Sequence, residues 1–198
     1  MTNPKAVPPP AATRGRIAPV KFAHIVFRTG RKDAMVEWYG KVLEAEVALA
    51  NPLLTFLTFD DEHHRIAIVG MPGLEPAAKP VAGLEHFAFT YASLADLLAT
   101  YQRLRAEGIL PYWCINHGPN LSFYYRDPDG NQIELQVDVF DSAAAVNDWY
   151  TTSDFATNPI GVKFDADDLI RRFEAGEPVE SLTRRPRVPA DQVLAQLP

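Results

Sequence analysis

Two stretches of the chain share one pattern of apolar and polar residues. The first, HIVFRTGRKDAMVEWYGKVL, begins at His24, and the second, HFAFTYASLADLLATYQRLR, begins 62 residues later at His86. In each, a short apolar run opened by histidine precedes a segment whose apolar residues recur at helical spacing. Each stretch therefore predicts a strand followed by an amphipathic helix.

The segments that follow these helices also repeat. LTFLTFDDEHHRIAIV (54–69) aligns without a gap with LSFYYRDPDGNQIELQ (121–136), 67 residues later. Both segments read as strand, turn and strand, and D-P-D-G-N is a strong turn signal. Each unit is then βαβββ, and self-similarity at this period indicates duplication. We predict an α+β fold in which two tandem βαβββ modules pair their curved sheets around a cavity.

The pattern divides the chain into three regions. Residues 1–19 are rich in proline, and we expect them to form a disordered arm. Residues 20–140 contain the paired modules, at about 20–70 and 83–138. Residues 141–198 read as a helical extension that packs on the core, although closing the active site or packing across a dimer would also suit it.

Composition excludes several classes of function. The chain has 198 residues, 47% hydrophobic and 22% charged, which is ordinary for a globular protein, and its net charge of −6 disfavours nucleic-acid binding. The single cysteine, Cys114, cannot form an internal disulfide and fits a reducing cytoplasm. No secretory signal and no apolar run of about 18 residues occur, so we expect no membrane span. The acidic surface and the extension suit a homodimer.

Three polar residues lie at positions that the repeat makes informative. His24 and His86 open equivalent strands, and Glu134 lies on the polar face of the last strand of the second module. A histidine opening an apolar strand is usually a half-buried surface residue, and a polar face can simply contact water. Two histidines and one carboxylate on facing strands nevertheless match the ligand set of non-haem Fe(II) enzymes. The residue equivalent to Glu134 in the first module is Ala67.

The duplication, with AHIVF, EHFAF and DPDGNQIELQ, resembles the vicinal oxygen chelate superfamily of glyoxalases, bleomycin-resistance proteins and extradiol dioxygenases. The resemblance covers roughly residues 20–140, and D-P-x-G-N-x-I-E-L is fairly specific to the superfamily without naming the reaction. It implies a metal site at His24, His86 and Glu134 that holds Fe(II), although Mn(II) suits the same ligands. The chain is most similar to the type I extradiol dioxygenases, in a single-domain form.

The methyl group of Ala67 separates the reactions that the resemblance allows. Glyoxalase-like members use four protein ligands drawn from both modules, whereas this chain offers three. Three protein ligands on an octahedral ion leave positions for both oxygens of an aromatic diol and for O₂. We therefore predict an extradiol dioxygenase that adds both atoms of O₂ to a catechol-type diol. A metal-dependent isomerase of the glyoxalase type and a non-enzymatic binder of small molecules such as drugs are the alternatives.

Ring cleavage also needs a group that handles a proton, and histidine titrates near working pH. FLTFDDEHHRIAIV resembles the stretch in extradiol dioxygenases where the second histidine of the pair is the acid–base residue, here His64. Strict alternation along a strand would instead place His63 on the face of Ala67, unless a bulge at the hairpin mouth reverses it. We predict His64 as the catalytic residue.

Two further residues are candidates in NHGPNLSFYYRDPDGNQIELQ. Tyr124 lies ten residues before Glu134, as the tyrosine of the resembling enzymes does, and would donate a hydrogen bond to a bound diol oxygen. His117 lies seven residues before Tyr124, in a slightly shorter loop than in those enzymes. On residue type alone, Tyr124 reads as a core tyrosine and His117 as a loop histidine.

Overall fold

The computed structural model describes residues 13, 15–76 and 82–198, and most of the predicted arm lies outside them. The strands are β1 (Ile25–Thr29), β2 (Glu46–Ala50), β3 (Leu54–Thr58), β4 (Ile66–Gly70), β5 (His86–Thr90), β6 (Trp113–Asn116), β7 (Asn120–Arg126), β8 (Gln132–Asp138) and β9 (Val162–Lys163). The α-helices are α1 (Lys32–Leu43), α2 (Leu94–Ala106), α3 (Ala143–Tyr150), α4 (Ser153–Thr157), α5 (Ala166–Glu174) and α6 (Val179–Thr183). Two 3₁₀ turns, Ala190–Gln192 and Leu194–Gln196, follow them.

The strands form two mixed sheets, in the orders β1-β4-β3-β2 and β5-β8-β7-β6-β9. In each module the first strand pairs in parallel with the fourth, and the third strand runs antiparallel beside it. The register pairs Val26 with Ala67 and Ala88 with Glu134, which are equivalent positions of the repeat. The predicted α+β class and the duplicated βαβββ order are therefore confirmed.

The ungapped alignment of the two hairpins is wrong by one residue. Phe56 pairs with Ala67, eleven positions ahead, whereas Tyr124 pairs with Glu134, ten positions ahead. The segment between the paired residues Leu57 and Ile66 therefore has eight residues, one more than the segment between the equivalent pair Tyr125 and Ile133, and Phe56 is the structural equivalent of Tyr124. The sequence concealed this because both strands are apolar and a shift of one residue still aligns aromatic with aromatic.

The helices cover the outer face of each sheet and leave the inner face open. Met35 and Tyr39 of α1 are fully buried, and the Tyr39 ring stacks on Phe27 of β1 with centroids 5.3 Å apart. Since successive side chains of a strand point to opposite faces, Val26 and Arg28 project from the other side, where both are exposed. The inner faces are therefore the surfaces available for a site.

The modules are joined through a buried polar contact. Tyr39 of α1 donates a hydrogen bond from its hydroxyl to Oδ2 of Asp127, 2.9 Å away, in the turn between β7 and β8. Both side chains are buried, and burial raises the pKa of each. Arg31 adds an ion pair to Asp129 at 3.1 Å in the same turn. The first helix is thereby tied to the hairpin that carries Glu134.

The extension adds a strand to the second sheet. Its strand β9 pairs antiparallel with β6, Asn116 lying opposite Val162. The side chain of Asp165 caps α5 by accepting a hydrogen bond from the backbone amide of Asp168, as an aspartate before a helix commonly does. Within the described part of the chain, no helix is long and apolar enough to cross a membrane.

We predict that Tyr39→Phe lowers the free energy of unfolding by about 1–3 kcal/mol, because it leaves the buried Asp127 carboxylate without this donor. The matched control is Tyr101→Phe, whose lost hydroxyl donates to Asp167, a half-exposed carboxylate that water can solvate. Urea denaturation of both variants measures the difference. Equal losses of unfolding free energy in the two variants would show that the buried contact between the modules stabilises the fold no more than the half-exposed one.

Candidate active site

His86 and Glu134 meet on the inner face of the second sheet. His86 opens β5, and Glu134 lies beside it on β8, so that Nε2 of His86 is 3.1 Å from Oε2 of Glu134. The glutamate is only 4% exposed. Among the described residues, Glu134 forms an ion-pair contact with His86 and with no lysine or arginine. A buried carboxylate requires a compensating positive charge, so this position suits a cation.

The hydrogen bonding of His86 supports the same assignment. Its Nδ1 contacts Oε2 of Glu85, and because a carboxylate only accepts, Nδ1 carries a proton. In the neutral ring Nε2 then carries a lone pair that faces a carboxylate oxygen of Glu134. Two lone pairs repel each other unless a proton or a metal ion lies between the two atoms. Two ligands about 2.1 Å from one ion and at right angles are about 3 Å apart. The donor pair therefore fits a metal, and Glu85 orients its histidine.

His24, the third predicted ligand, lies with a different group. It directly precedes β1, and its ring centroid is 4.5 Å from that of His64. In residues 13, 15–76 and 82–198, no group of three or more His, Cys, Asp and Glu side chains is close enough to hold a metal. The structure thus brings together two of the three predicted ligands, and the complete triad stays a prediction.

His64 and His63 differ in exposure. His64 is 8% exposed, and its ring stacks on Phe56 of the inner face, with centroids 4.1 Å apart. The side chain of His63 is 70% exposed. Burial lowers the pKa of His64, and the neighbouring His63 and His24 lower it further. The ring that lies beside His24 on the inner side is therefore His64, in its neutral form near pH 7.

The reason for this orientation differs from the one considered in the sequence. The pairing of β3 with β4 runs without a bulge from Leu54 to Leu57. Both histidines instead lie in the loop of residues 59–65, which closes through a bond from the Arg65 amide to the Leu57 carbonyl, 2.8 Å long. Strand alternation does not apply to a loop, so it could not assign the inward-facing histidine.

Tyr124 and His117 form a pair on the same sheet. Tyr124 lies opposite Glu134 in the register, and its hydroxyl is 3.1 Å from Nε2 of His117. Burial raises the pKa of Tyr124, and the negative charge of Glu134 raises it further. Trp113, which lies opposite Tyr124 on β6, packs against the Tyr124 ring with centroids 4.7 Å apart. Tyr124 therefore reaches from the metal-binding candidate Glu134 to the half-buried His117.

One row of paired residues, running across the strands of each sheet, allows the two modules to be compared. In the second sheet the row is Ala88, Glu134, Tyr124 and Trp113. In the first sheet the equivalent row is Val26, Ala67, Phe56 and Leu49. The second sheet thus carries polar chemistry at positions where the first carries an apolar wall.

A sequence model of one family matches this part of the chain. The model describes the Glyoxalase/Bleomycin resistance protein/Dioxygenase superfamily, and it matches residues 21–135. That range is more than half of the 198 residues. The chain belongs to this superfamily.

Curated relatives narrow the reaction class of this superfamily member. It is 43% identical over 164 residues to biphenyl-2,3-diol 1,2-dioxygenase 2 of Rhodococcus globerulus, covering 82% of this chain and 86% of the relative. It is 42% identical to biphenyl-2,3-diol 1,2-dioxygenase 3 of the same organism, covering 83% and 88%. The predicted superfamily and the predicted extradiol dioxygenase class are confirmed. The first alignment covers more residues than 1–140 contain, so it includes part of the extension.

A solved structure supports the fold alone. The glyoxylase/bleomycin resistance protein/dioxygenase domain from Frankia sp. EAN1pec is 17% identical, with a TM-score of 0.52. The alignment covers 61% of this chain and 99% of that one. This chain therefore contains the whole of that domain's fold and further residues besides.

Asn120 is a site residue of this superfamily member that the sequence reasoning missed. Its amide nitrogen lies 2.9 Å from Oε1 of Glu134, and it also contacts Ser122 and Gln136. The amide thus holds one oxygen of Glu134 while the other faces His86. Strand alternation from Tyr124 places Asn120 on the inner face, so the period of two contained the signal.

We expect His86→Ala and Glu134→Gln each to weaken Mn(II) or Fe(II) binding by at least about 100-fold, more than the loss of an orienting residue usually costs. His63→Ala is the matched control, since its exposed ring lies outside the pair, and it should bind metal as the wild type does. Anaerobic titration followed by metal analysis gives the result. Full metal content in the His86→Ala or Glu134→Gln variant would show that the substituted residue is not a metal ligand.

Proposed function

We propose that the chain cleaves the ring of a catechol-type aromatic diol with O₂, beside one of the hydroxyl groups. The observation that carries the proposal is the buried Glu134 carboxylate facing Nε2 of His86. The equivalent position of the first sheet holds Ala67, whose methyl group cannot bind a metal. The relatives at 42–43% identity are named for the same class of reaction. Both atoms of O₂ would enter the product.

We propose His24, His86 and Glu134 as the residues that would hold Fe(II), or Mn(II) in its place. When bound, the ion supplies Lewis acidity toward the diol oxygens and a redox partner for O₂. Glu85 orients His86, and Asn120 fixes Oε1 of Glu134, so both ligands are held before the ion arrives. Such preorganisation raises affinity because little freedom is lost on binding.

His64 is the proposed acid–base residue. Its ring is held in place by the stacking on Phe56 and by a contact of 2.6 Å between its Nδ1 and Nδ1 of His63. Because burial lowers its pKa, the ring is neutral at pH 7 and can accept a proton from the substrate. His24 lies against it, so a proton acceptor stands next to a proposed metal ligand.

Tyr124 and His117 are proposed to hold the diol from the second sheet. The Tyr124 hydroxyl lies between Glu134 and His117, where it can form a hydrogen bond with an oxygen of the substrate. Trp113 closes this side with an aromatic face. Two polar groups and one ring therefore define where the reacting end of the diol lies.

The apolar row of the first sheet is proposed to receive the rest of the substrate. Val26 and Leu49 are exposed on it, and Phe56 lies between them in the row. An exposed apolar row in the same domain as a polar site favours a diol with a hydrophobic substituent. Because the relatives are named for biphenyl-2,3-diol, we propose an aryl-substituted diol as the substrate.

Oxygen uptake tests the proposed reaction. Protein reconstituted anaerobically with Fe(II) should consume one O₂ per biphenyl-2,3-diol and form a yellow ring-opened product. Plain catechol should have a kcat/KM at least about tenfold lower, because it lacks the apolar contact. Turnover without O₂ would indicate the isomerase alternative, and binding without metal or turnover would indicate a small-molecule binder. Either result would contradict the proposal.

Two further properties stay part of the proposal. The lone Cys114 is a free thiol, which fits a reducing cytoplasm. A homodimer remains expected, and sedimentation of the purified protein would test it.

We predict that His64→Ala lowers kcat by about 10²–10⁴-fold while leaving the metal content unchanged, since it removes a proton-transfer group and no ligand. His63→Ala should lower kcat by far less, because its ring is exposed. Steady-state oxygen uptake, with iron measured in each sample, separates the two. The assignment of His64 is wrong if the two variants lose the same activity, or if His63→Ala loses more.

A further inference from the structure

The extension reaches the proposed active site at His117. Nδ1 of His117 contacts the backbone carbonyl oxygen of Ile160, which lies in the extension. Two residues later Val162 pairs with Asn116, the residue before His117. The same short segment of the extension therefore follows the backbone that carries His117 and also contacts its ring.

This contact determines which ring nitrogen carries the proton. A carbonyl oxygen only accepts hydrogen bonds, so Nδ1 of His117 must be the donor. In the neutral ring Nε2 then has a lone pair, and it lies 3.1 Å from the Tyr124 hydroxyl. The His117 lone pair can therefore accept the Tyr124 hydroxyl proton, for which the Glu134 carboxylate is the other acceptor within reach. With the opposite tautomer, the direction of this hydrogen bond would reverse.

The loop that presents the Ile160 carbonyl is closely braced. Asn158 is 4% exposed, its Oδ1 accepts from the amides of Ile160 and Gly161, and its Nδ2 donates to the Gly161 carbonyl at 2.7 Å. Gly161 has φ +127°, and a Cβ there would lie 2.6 Å from the Asn116 carbonyl oxygen. Only glycine permits this approach between the loop and β6.

Arg185 ties the loop to the chain on the other side of the contact. Its guanidinium donates to the backbone carbonyls of Asn158 at 2.8 Å and of His117 at 3.3 Å. It donates as well to the carbonyl of Asp154 at 2.8 Å, and it lies over the Trp149 ring, 4.7 Å from the centroid. One side chain therefore fixes the backbone at both ends of the bond between His117 and Ile160.

We propose that the C-terminal extension is a working part of the active site, in which Asn158 and Arg185 are positioning residues that hold the Ile160 carbonyl against His117 and so fix its Nδ1–H tautomer. The use of the His117–Tyr124 pair in turnover rests on the proposed function, whereas the tautomer does not. The extension thereby makes Nε2 of His117 a hydrogen-bond acceptor toward the Tyr124 hydroxyl.

The tautomer can be observed without metal, substrate or turnover. The chain has five histidines, so long-range ¹H–¹⁵N correlation spectra of metal-free, ¹⁵N-histidine-labelled protein contain five ring systems. The His117→Gln spectrum identifies the signal of His117 by its loss. We expect His117 to carry its proton on Nδ1 in the wild type. A proton on Nε2 would overturn the inference, and no substitution is needed to see it.

Substitutions then test the bracing. Arg185→Ala should give a mixture of tautomers and lower kcat by about 10–100-fold at unchanged iron content, as loss of an orienting residue does. Arg185→Lys should recover part of this, because an ammonium cannot reproduce the planar fork of donors. Arg184→Ala is the matched control, since Arg184 is 74% exposed and pairs only with Glu180 among the described residues. Equal spectra and rates for Arg185→Ala and Arg184→Ala would also overturn the inference.

The two proposals fail in different ways. A wild-type protein with the Nδ1–H signal and no oxygen uptake would refute the proposed function and leave the positioning intact. A protein that consumes O₂ with His117 protonated on Nε2 would refute the positioning alone. If Arg185→Ala does not fold, Asn158→Asp provides the second variant, because it keeps the Oδ1 acceptor and loses the donor to Gly161.

Discussion

A buried carboxylate that no lysine or arginine of the described residues neutralises is the constraint on which the site depends. Glu134 lies at the centre of the second sheet, where leaving its charge uncompensated would be costly. One of its oxygens is held by Asn120 and the other faces the lone pair of His86. Glu85 then holds His86 from behind. These contacts fit the proposed cation, which would supply the missing positive charge.

The duplication gives the two sheets one register with different side chains along the equivalent rows. Both modules use the same register, but Glu134 and Tyr124 occupy positions that Ala67 and Phe56 occupy in the first sheet. Along this row the second sheet is polar and the first is apolar, although the first module also contributes His24 and His64 outside the row. The proposed substrate, a diol with an apolar substituent, matches this difference between the two rows. The contact between Tyr39 and Asp127 keeps the two copies in this relation.

Much of the fold and part of the site could be read from the sequence. The periodicity of the apolar residues and the repeat predicted the modules, and strand alternation placed Glu134 on the inner face with His86. His64 was assigned by resemblance rather than by alternation, which fails in the loop of residues 59–65. The role of Ile160 left no sequence signal at all, because a backbone carbonyl has the same chemistry in every residue. His24 lies against His64 and apart from the other two predicted ligands.

The most direct measurement is a single turnover with ¹⁸O₂, using protein reconstituted anaerobically with Fe(II) and an equimolar amount of biphenyl-2,3-diol. Mass spectrometry of the rapidly quenched product reports how many labelled atoms it contains. Two ¹⁸O atoms in one ring-opened molecule are the predicted result. An unlabelled product, or one that retains its aromatic ring, would contradict the assignment of oxygen chemistry to this site.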